Sequence, residues 1–130
     1  MSNIFSDIAG IVANQGLHPK ATIISTKHVG VIKTQFGPKD MQQFVLRVEQ
    51  FNKDLEPETA DIHVQYHRSF SPKASLVPFV AAVGIDARRG MTLDFSTLVG
   101  KTLKIFVSHK IDAHGRVHAN IEPLVRKVAL

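Results

Sequence analysis

Apolar and polar residues alternate with a period of two over Gly100 to Pro123. Leu103, Ile105 and Val107 alternate with Lys104, Phe106 and Ser108, and Val117, Ala119 and Ile121 alternate with Arg116, His118 and Asn120. That period puts one set on a core face and the other on an exposed face of two strands. Asp112-Ala113-His114-Gly115 between them carries turn chemistry, with Gly115 free to take a positive φ. The exposed set holds cations, histidines and one aromatic, Phe106, where an ordinary solvated face carries Lys, Glu and Thr.

Elsewhere the same patterning predicts further elements. Ile4, Phe5, Ile8, Ile11 and Val12 fall at helical spacing within residues 3–14, a short helix that Gly16 and Pro19 end. So short a helix needs a surface to pack on, either the domain itself or a second subunit, so a homo-oligomer is one expected arrangement. Lys20 to Phe36 reads as a long first strand, with Gly30 marking a bulge or bend. Phe36 to Asp40 reads as a turn and Gln43 to Phe51 as the second strand. Asp61 to His67 is the third, with Ile62, Val64 and Tyr66 on one face. Ser71-Pro72 reads as a helix start, Leu76, Phe79, Val80 and Val83 have helical spacing, and Gly84 closes the segment. Pro78 conflicts with that start and kinks the helix or moves its beginning to about residue 77. Asp94 caps a further short turn from Phe95 to Val99.

The order is three strands, a helical segment and two strands. It predicts an all-β fold with a short helical segment, a five-stranded OB-fold-like Greek-key barrel. A long first strand with a bend fits, because a strand shared by both halves of a small barrel must turn a corner. Residues 1–19 form an N-terminal helix or arm and 20–130 the barrel domain.

Composition narrows the function classes. The chain has 130 residues, 44% of them hydrophobic, enough for a core without staples. It has no cysteine, which removes disulfides and thiolate metal sites. No apolar run approaches the length of a membrane span, and the first residues lack a basic signal-peptide region, so a cytoplasmic protein without membrane association is expected. The net charge is +5 and uneven: residues 20–53 and 100–130 each carry a net +4, whereas 54–70 carry −3, from Asp54, Glu56, Glu58 and Asp61 against Arg68. An excess of cations on the first and last strand regions suits a polyanion.

Within this frame the chain resembles a group of small OB-fold single-stranded DNA-binding proteins of phages and mobile elements. Three stretches carry the resemblance: Gly30 to Lys39, Leu93 to Lys101, and the terminal hairpin with His109-Lys110, Gly115-Arg116 and Ala119-Asn120-Ile121. They lie within residues 20–123. The resemblance implies an OB-fold and a replication or recombination role on single-stranded DNA. It supplies no residue-level site, and Pro78 and the acidic block at 54–61 depart from what it implies.

The residues themselves supply a candidate surface. In an OB barrel the ligand crosses strands two and three between the first and last hairpin loops. Lys33 and Lys39 flank the first loop, and Lys110 and Arg116 the second. Arg47, Lys104, Phe106 and His118 have outward parity. Together these eight are the candidate nucleic-acid-binding residues, the cations for phosphates and Phe106 for stacking on a base. Phe106 has a second reading, as part of a small core under a loop or helix. The histidines do not make a convincing metal site: His63 and His67 stand about 13 Å apart along a strand, and His109, His114 and His118 have only Asp112 as a nearby carboxylate. No nucleophile elbow, phosphate loop or paired-carboxylate spacing occurs, so neither catalysis nor a cofactor is expected. The expected function is binding of single-stranded DNA with little sequence preference, RNA staying open beside it. The alternative is an OB-fold interaction or assembly module that binds no nucleic acid.

Overall fold

A computed structural model of the chain describes residues 11–125. Five antiparallel strands, β1 (Gly16–Thr34), β2 (Gly37–Phe51), β3 (Pro57–His67), β4 (Thr102–Ile111) and β5 (Val117–Pro123), lie in the order β3-β2-β1-β4-β5. A short helix α1 (Leu76–Ala82) and a single 3-10 turn (Phe95–Leu98) separate β3 from β4. The sheet curls into a nearly closed OB-fold-like barrel. Because successive neighbours are antiparallel, β3 and β5 run in the same sense. They face each other across a seam, where Asp61 to Tyr66 approach Val117 to Ile121. Among the described residues no ladder pairs these two strands.

The long first strand reaches round the barrel because it is broken by bulges. Its first part pairs with β4, from Gly16↔Val107 to Thr22↔Thr102, and its later part with β2, from Thr22↔Arg47 to Thr34↔Gly37. Register shifts fall between His18 and Ala21, Ile23 and Ser25, and His28 and Gly30. Each adds a residue to β1, bending it and raising its twist. Gly30 takes φ 96° at the last shift, where its lack of a Cβ matters. The strand starts at Gly16 rather than at Lys20. Pro19, read from the sequence as a helix terminator, sits within the first bulge, where no ladder hydrogen bond is asked of its nitrogen.

The core follows the period-two sets: Ala21 and Ile23 of β1, Phe44, Leu46 and Val48 of β2, Ile62 of β3, and Leu103, Ile105 and Val107 of β4 are all buried. Phe79 of α1 closes on this set, its ring 4.7 Å from Phe44 and 4.9 Å from Tyr66. Phe95 meets Phe44 edge-on at 5.8 Å. Burial pushes the Tyr66 phenol well above its ordinary value, so it stays protonated.

The helix begins at Leu76, which corrects the start at Ser71-Pro72. Ala74 N instead donates to Ser71 O, making an isolated turn before it. Pro78 then falls in the first turn of α1, where a missing N–H costs no intrahelical bond. Asp94 caps the 3-10 turn as expected, accepting from Ser96 N at 3.0 Å. The first hairpin turn is Gln35-Phe36, earlier than the Phe36–Asp40 turn read from the sequence, and β2 already begins at Gly37.

Of the predicted N-terminal helix, Ile4, Phe5 and Ile8 lie outside the described residues. Residues 11–14 are not helical but extended coil. Ala13 is buried. Asn14 N donates to Gln50 Oε1 at 2.7 Å, Asn14 Nδ2 to Phe51 O at 3.1 Å, and His109 Nε2 to Ala13 O at 2.7 Å. This segment closes the barrel at the end away from α1.

Candidate nucleic-acid interface

The outer face of β2 and β3 is built from cross-strand pairs Met41–His67, Gln43–Gln65, Val45–His63 and Arg47–Asp61. Directly opposed residues of an antiparallel pair share a face, so these side chains form one surface. Its middle is neutral or titratable: Gln43 Nε2 donates to His63 Nδ1 at 3.2 Å. Arg47 and Asp61 cancel each other, with Nε donating to Oδ1 at 2.8 Å and Nη2 to Oδ2 at 3.0 Å. The one member of the acidic block that reaches this face is therefore neutralised. Glu58 is turned to Gln50 Nε2 and Glu56 to Asn52.

Each end of this face is met by one of the two expected loops. The β1–β2 turn is held by Thr34, whose hydroxyl donates to Gly37 O at 2.7 Å and accepts from Phe36 N at 3.1 Å. Gly37, at φ 102°, completes the reversal. Phe36 is thereby turned outward and is 78% exposed. Lys39 Nζ stands 5.6 Å from its ring centroid, within cation–π reach. Phe36, Lys39, Gln65, Tyr66, His67 and Lys73 line one groove. At the other end, Val117 and His118 border a groove with Asp61, Ile62 and His63. Strand β3 thus joins the two loops along its outer face.

The second loop is organised by Asp112. Its carboxylate accepts from His114 N at 2.8 Å, Arg116 N at 2.9 Å, Arg116 Nε at 3.2 Å and His118 Nε2 at 2.8 Å. The His118 hydrogen bond above all, with those backbone N–H groups, holds the Asp112 carboxyl far below the usual carboxylate range. Arg116 and His118 are therefore fixed in place, and Arg116 is largely offset in charge. Lys110, opposite His118 in the ladder, is exposed and forms no ion pair among the described residues.

Of the eight residues expected at the site, Lys39 borders β3 at one end and His118 at the other. Lys110 and Arg116 accompany His118. Arg47 lies on the same face but is engaged. Lys33 is exposed near the ribbon tip, opposite Pro38. Lys104 and Phe106 have the expected outward parity, and Phe106 is 47% exposed. They stand on a different flank, however, because β5 and the seam separate β4 from β3. Phe106 is opposed there by Leu17 of β1 and Glu122 of β5. Sequence reasoning missed Phe36, Lys73 and the histidines of β3 as members of one surface. The signal for Phe36 was an aromatic in a tight turn between two lysines. The hairpin histidines do not converge: His109 turns to Ala13 O and His118 to Asp112. Among the described residues no cluster of three or more metal-ligating side chains forms, and no helix is long and apolar enough to cross a membrane.

No protein-family model matches the chain, and no curated protein is significantly similar to it in sequence.

Proposed function

We propose that this chain is a non-enzymatic OB-fold protein that binds single-stranded DNA with little sequence preference, in replication or recombination of a phage or mobile element. The observation that carries the reading is the outer face of β3. It is a neutral, hydrogen-bonding track with Lys39, Lys73 and a bare aromatic at one end and, at the other, His118, whose ladder partner on β4 is Lys110. Phosphates would be neutralised at the ends while bases lie on the Gln43, His63 and Gln65 surface, and one base stacks on Phe36. Stacking is tolerant of sequence because every base has a π-face. The test is fluorescence anisotropy with a labelled oligothymidine against a duplex of equal length, at low and moderate salt, with the ribo-oligomer as a third arm. Salt-sensitive binding of the single strand is expected. Absence of binding at low salt overturns the reading.

One observation favours the assembly reading instead. Leu17 and Phe106 are cross-strand partners on the outer face of β1 and β4, 55% and 47% exposed. Such a pair is a small apolar patch that a second copy could cover. Light scattering of the native chain and of Phe106→Ser decides it: an oligomer that the substitution dissociates supports assembly through this patch. A monomer in both leaves the patch as ordinary surface.

A further inference from the structure

The β1–β2 ribbon continues where the rest of the sheet stops. The β2–β3 ladder ends at Met41↔His67 and the β1–β4 ladder at Thr22↔Thr102, but β1 and β2 stay paired as far as Thr34↔Gly37. From Gly30 to Thr34 the ribbon runs on for about 14 Å of strand past the β2–β3 ladder at the usual rise, and its turn borders one groove with Lys73, Ala74 and Ser75. It combines the exposed apolar groups Val31, Ile32 and Phe36 with the exposed Lys33 and the half-buried Lys39. Two hydrogen-bonded strands and a turn held by Thr34 carry Phe36 at the end of the ribbon. Nothing in the barrel needs this projection for its core, since Val31 and Phe36 are 67% and 78% exposed.

We infer that the ribbon tip recognises the junction where a single strand becomes a duplex, with Phe36 stacking on the closing base pair. This rests on the reading of β3 as the single-strand track. A strand lying along β3 leaves the barrel past His67 and meets Phe36 and Lys39 next. A single base there would use only the near side of the ring, and it would leave the overhanging cations without phosphates. The end of a duplex fills the space beyond: its last pair is a broad π-surface, and its two backbones bring phosphates to Lys33 and Lys39 on either strand of the ribbon. Charge complementarity selects this occupant over an apolar protein surface, because lysines stand on both ribbon strands within the apolar tip. Aromatic and apolar side chains are used in this way against exposed base steps. Because β3 has a direction, the junction it favours has one overhang polarity.

The experiment compares an oligothymidine, a blunt duplex, and two partial duplexes carrying that oligothymidine as a 5′ or a 3′ overhang. The full chain and Phe36→Ala are titrated on each, and 2-aminopurine in the closing pair reports stacking. One partial duplex is expected to bind on the order of tenfold more tightly than the single strand, the scale of one good stacking contact. Phe36→Ala should weaken single-strand binding by the one stacked base it loses, weaken binding of the preferred partial duplex further so that the preference disappears, and abolish the 2-aminopurine response. The ring is exposed, so an unchanged melting temperature shows that the variant is folded. Equal binding of the single strand and both partial duplexes overturns the junction reading and leaves the single-strand reading standing. No binding to any DNA overturns both. Phe36-dependent binding to phosphatidylcholine vesicles carrying phosphatidylserine, without a junction preference, overturns it in favour of a membrane-facing tip.

Discussion

Arg47 and Asp61 face each other across β2 and β3 in a two-pronged ion pair, 2.8 Å and 3.0 Å long. The pair occupies the guanidinium fork with a fixed carboxylate, so Arg47 is not available to a phosphate on the same face. Asp61→Asn is therefore expected to strengthen single-strand binding at low salt. It should also steepen the salt dependence by about 0.7, the value for one further phosphate contact on a single strand. Arg47→Ala should weaken binding, because it leaves Asp61 as a bare negative charge on the track. Anisotropy titrations over a salt series read both. If neither variant moves the affinity, the strand does not pass over this face.

Lys39 and Lys73 come from separate elements yet line one groove beside His67. Replacing either by Ala should lower the salt slope by about 0.7, as one phosphate contact is lost, for every sequence alike. Lys53, in the β2–β3 turn at the far end of the barrel, is the control, and Lys53→Ala should change neither affinity nor slope. Equal effects at all three positions would mean a diffuse electrostatic attraction in place of a defined track.

Asp112 ties the β4–β5 turn together through its ionised form, so its carboxyl titrates lower in the folded than in the unfolded chain. A lowered value means stability that is fully present above the unfolded carboxylate value of about 3.9 and is lost as the pH falls below it toward the folded value. Asp112→Asn keeps an acceptor for the two backbone N–H groups but removes the charge. The native chain should melt above this variant at neutral pH, and the gap should narrow steadily below about pH 4. Melting curves over pH 2–8 check this, and a gap that is constant across the range refutes it.

Gly30 sits at the last bulge of β1 with φ 96° and open space where a Cβ would stand. Any cost of Gly30→Ala is thus conformational, about 1–2 kcal/mol by the usual penalty for a side chain at positive φ. The bulge aims the ribbon, so the variant should also lose junction preference while keeping its binding to a single strand. Denaturant unfolding gives the first quantity and the titrations above give the second.

Much of the barrel was legible because period two is hard to hide. Leu103, Ile105 and Val107 are only 3%, 0% and 0% exposed, as their alternation with Lys104, Phe106 and Ser108 requires. Gly30 announced its bulge. Pro19 and Pro72 misled, because a proline ends a helix or opens one in isolation, whereas Pro19 is accommodated by a bulge that only the partner strand defines. For the candidate surface, loop position and parity located Lys39 and His118 but not the course of β3 between them. Phe36 was read as punctuation beside Gly37-Pro38, since a turn residue's exposure depends on how far its ribbon overhangs. Parity placed Phe106 outward correctly. It could not tell that β5 and the seam stand between Phe106 and β3.

Among the described residues the barrel is a split ring with a clasp: no ladder joins β3 to β5, and residues 12–14 tie Gln50 of β2 to His109 of β4 at one end. A fully laddered cylinder opens only by breaking a whole ladder, whereas a slit held by a few hydrogen bonds has fewer to break. The slit lies beside the outer face of β3 proposed as the single-strand track, so opening it would alter the curvature of that face. The four other joints of the sheet, in contrast, are laddered edge to edge.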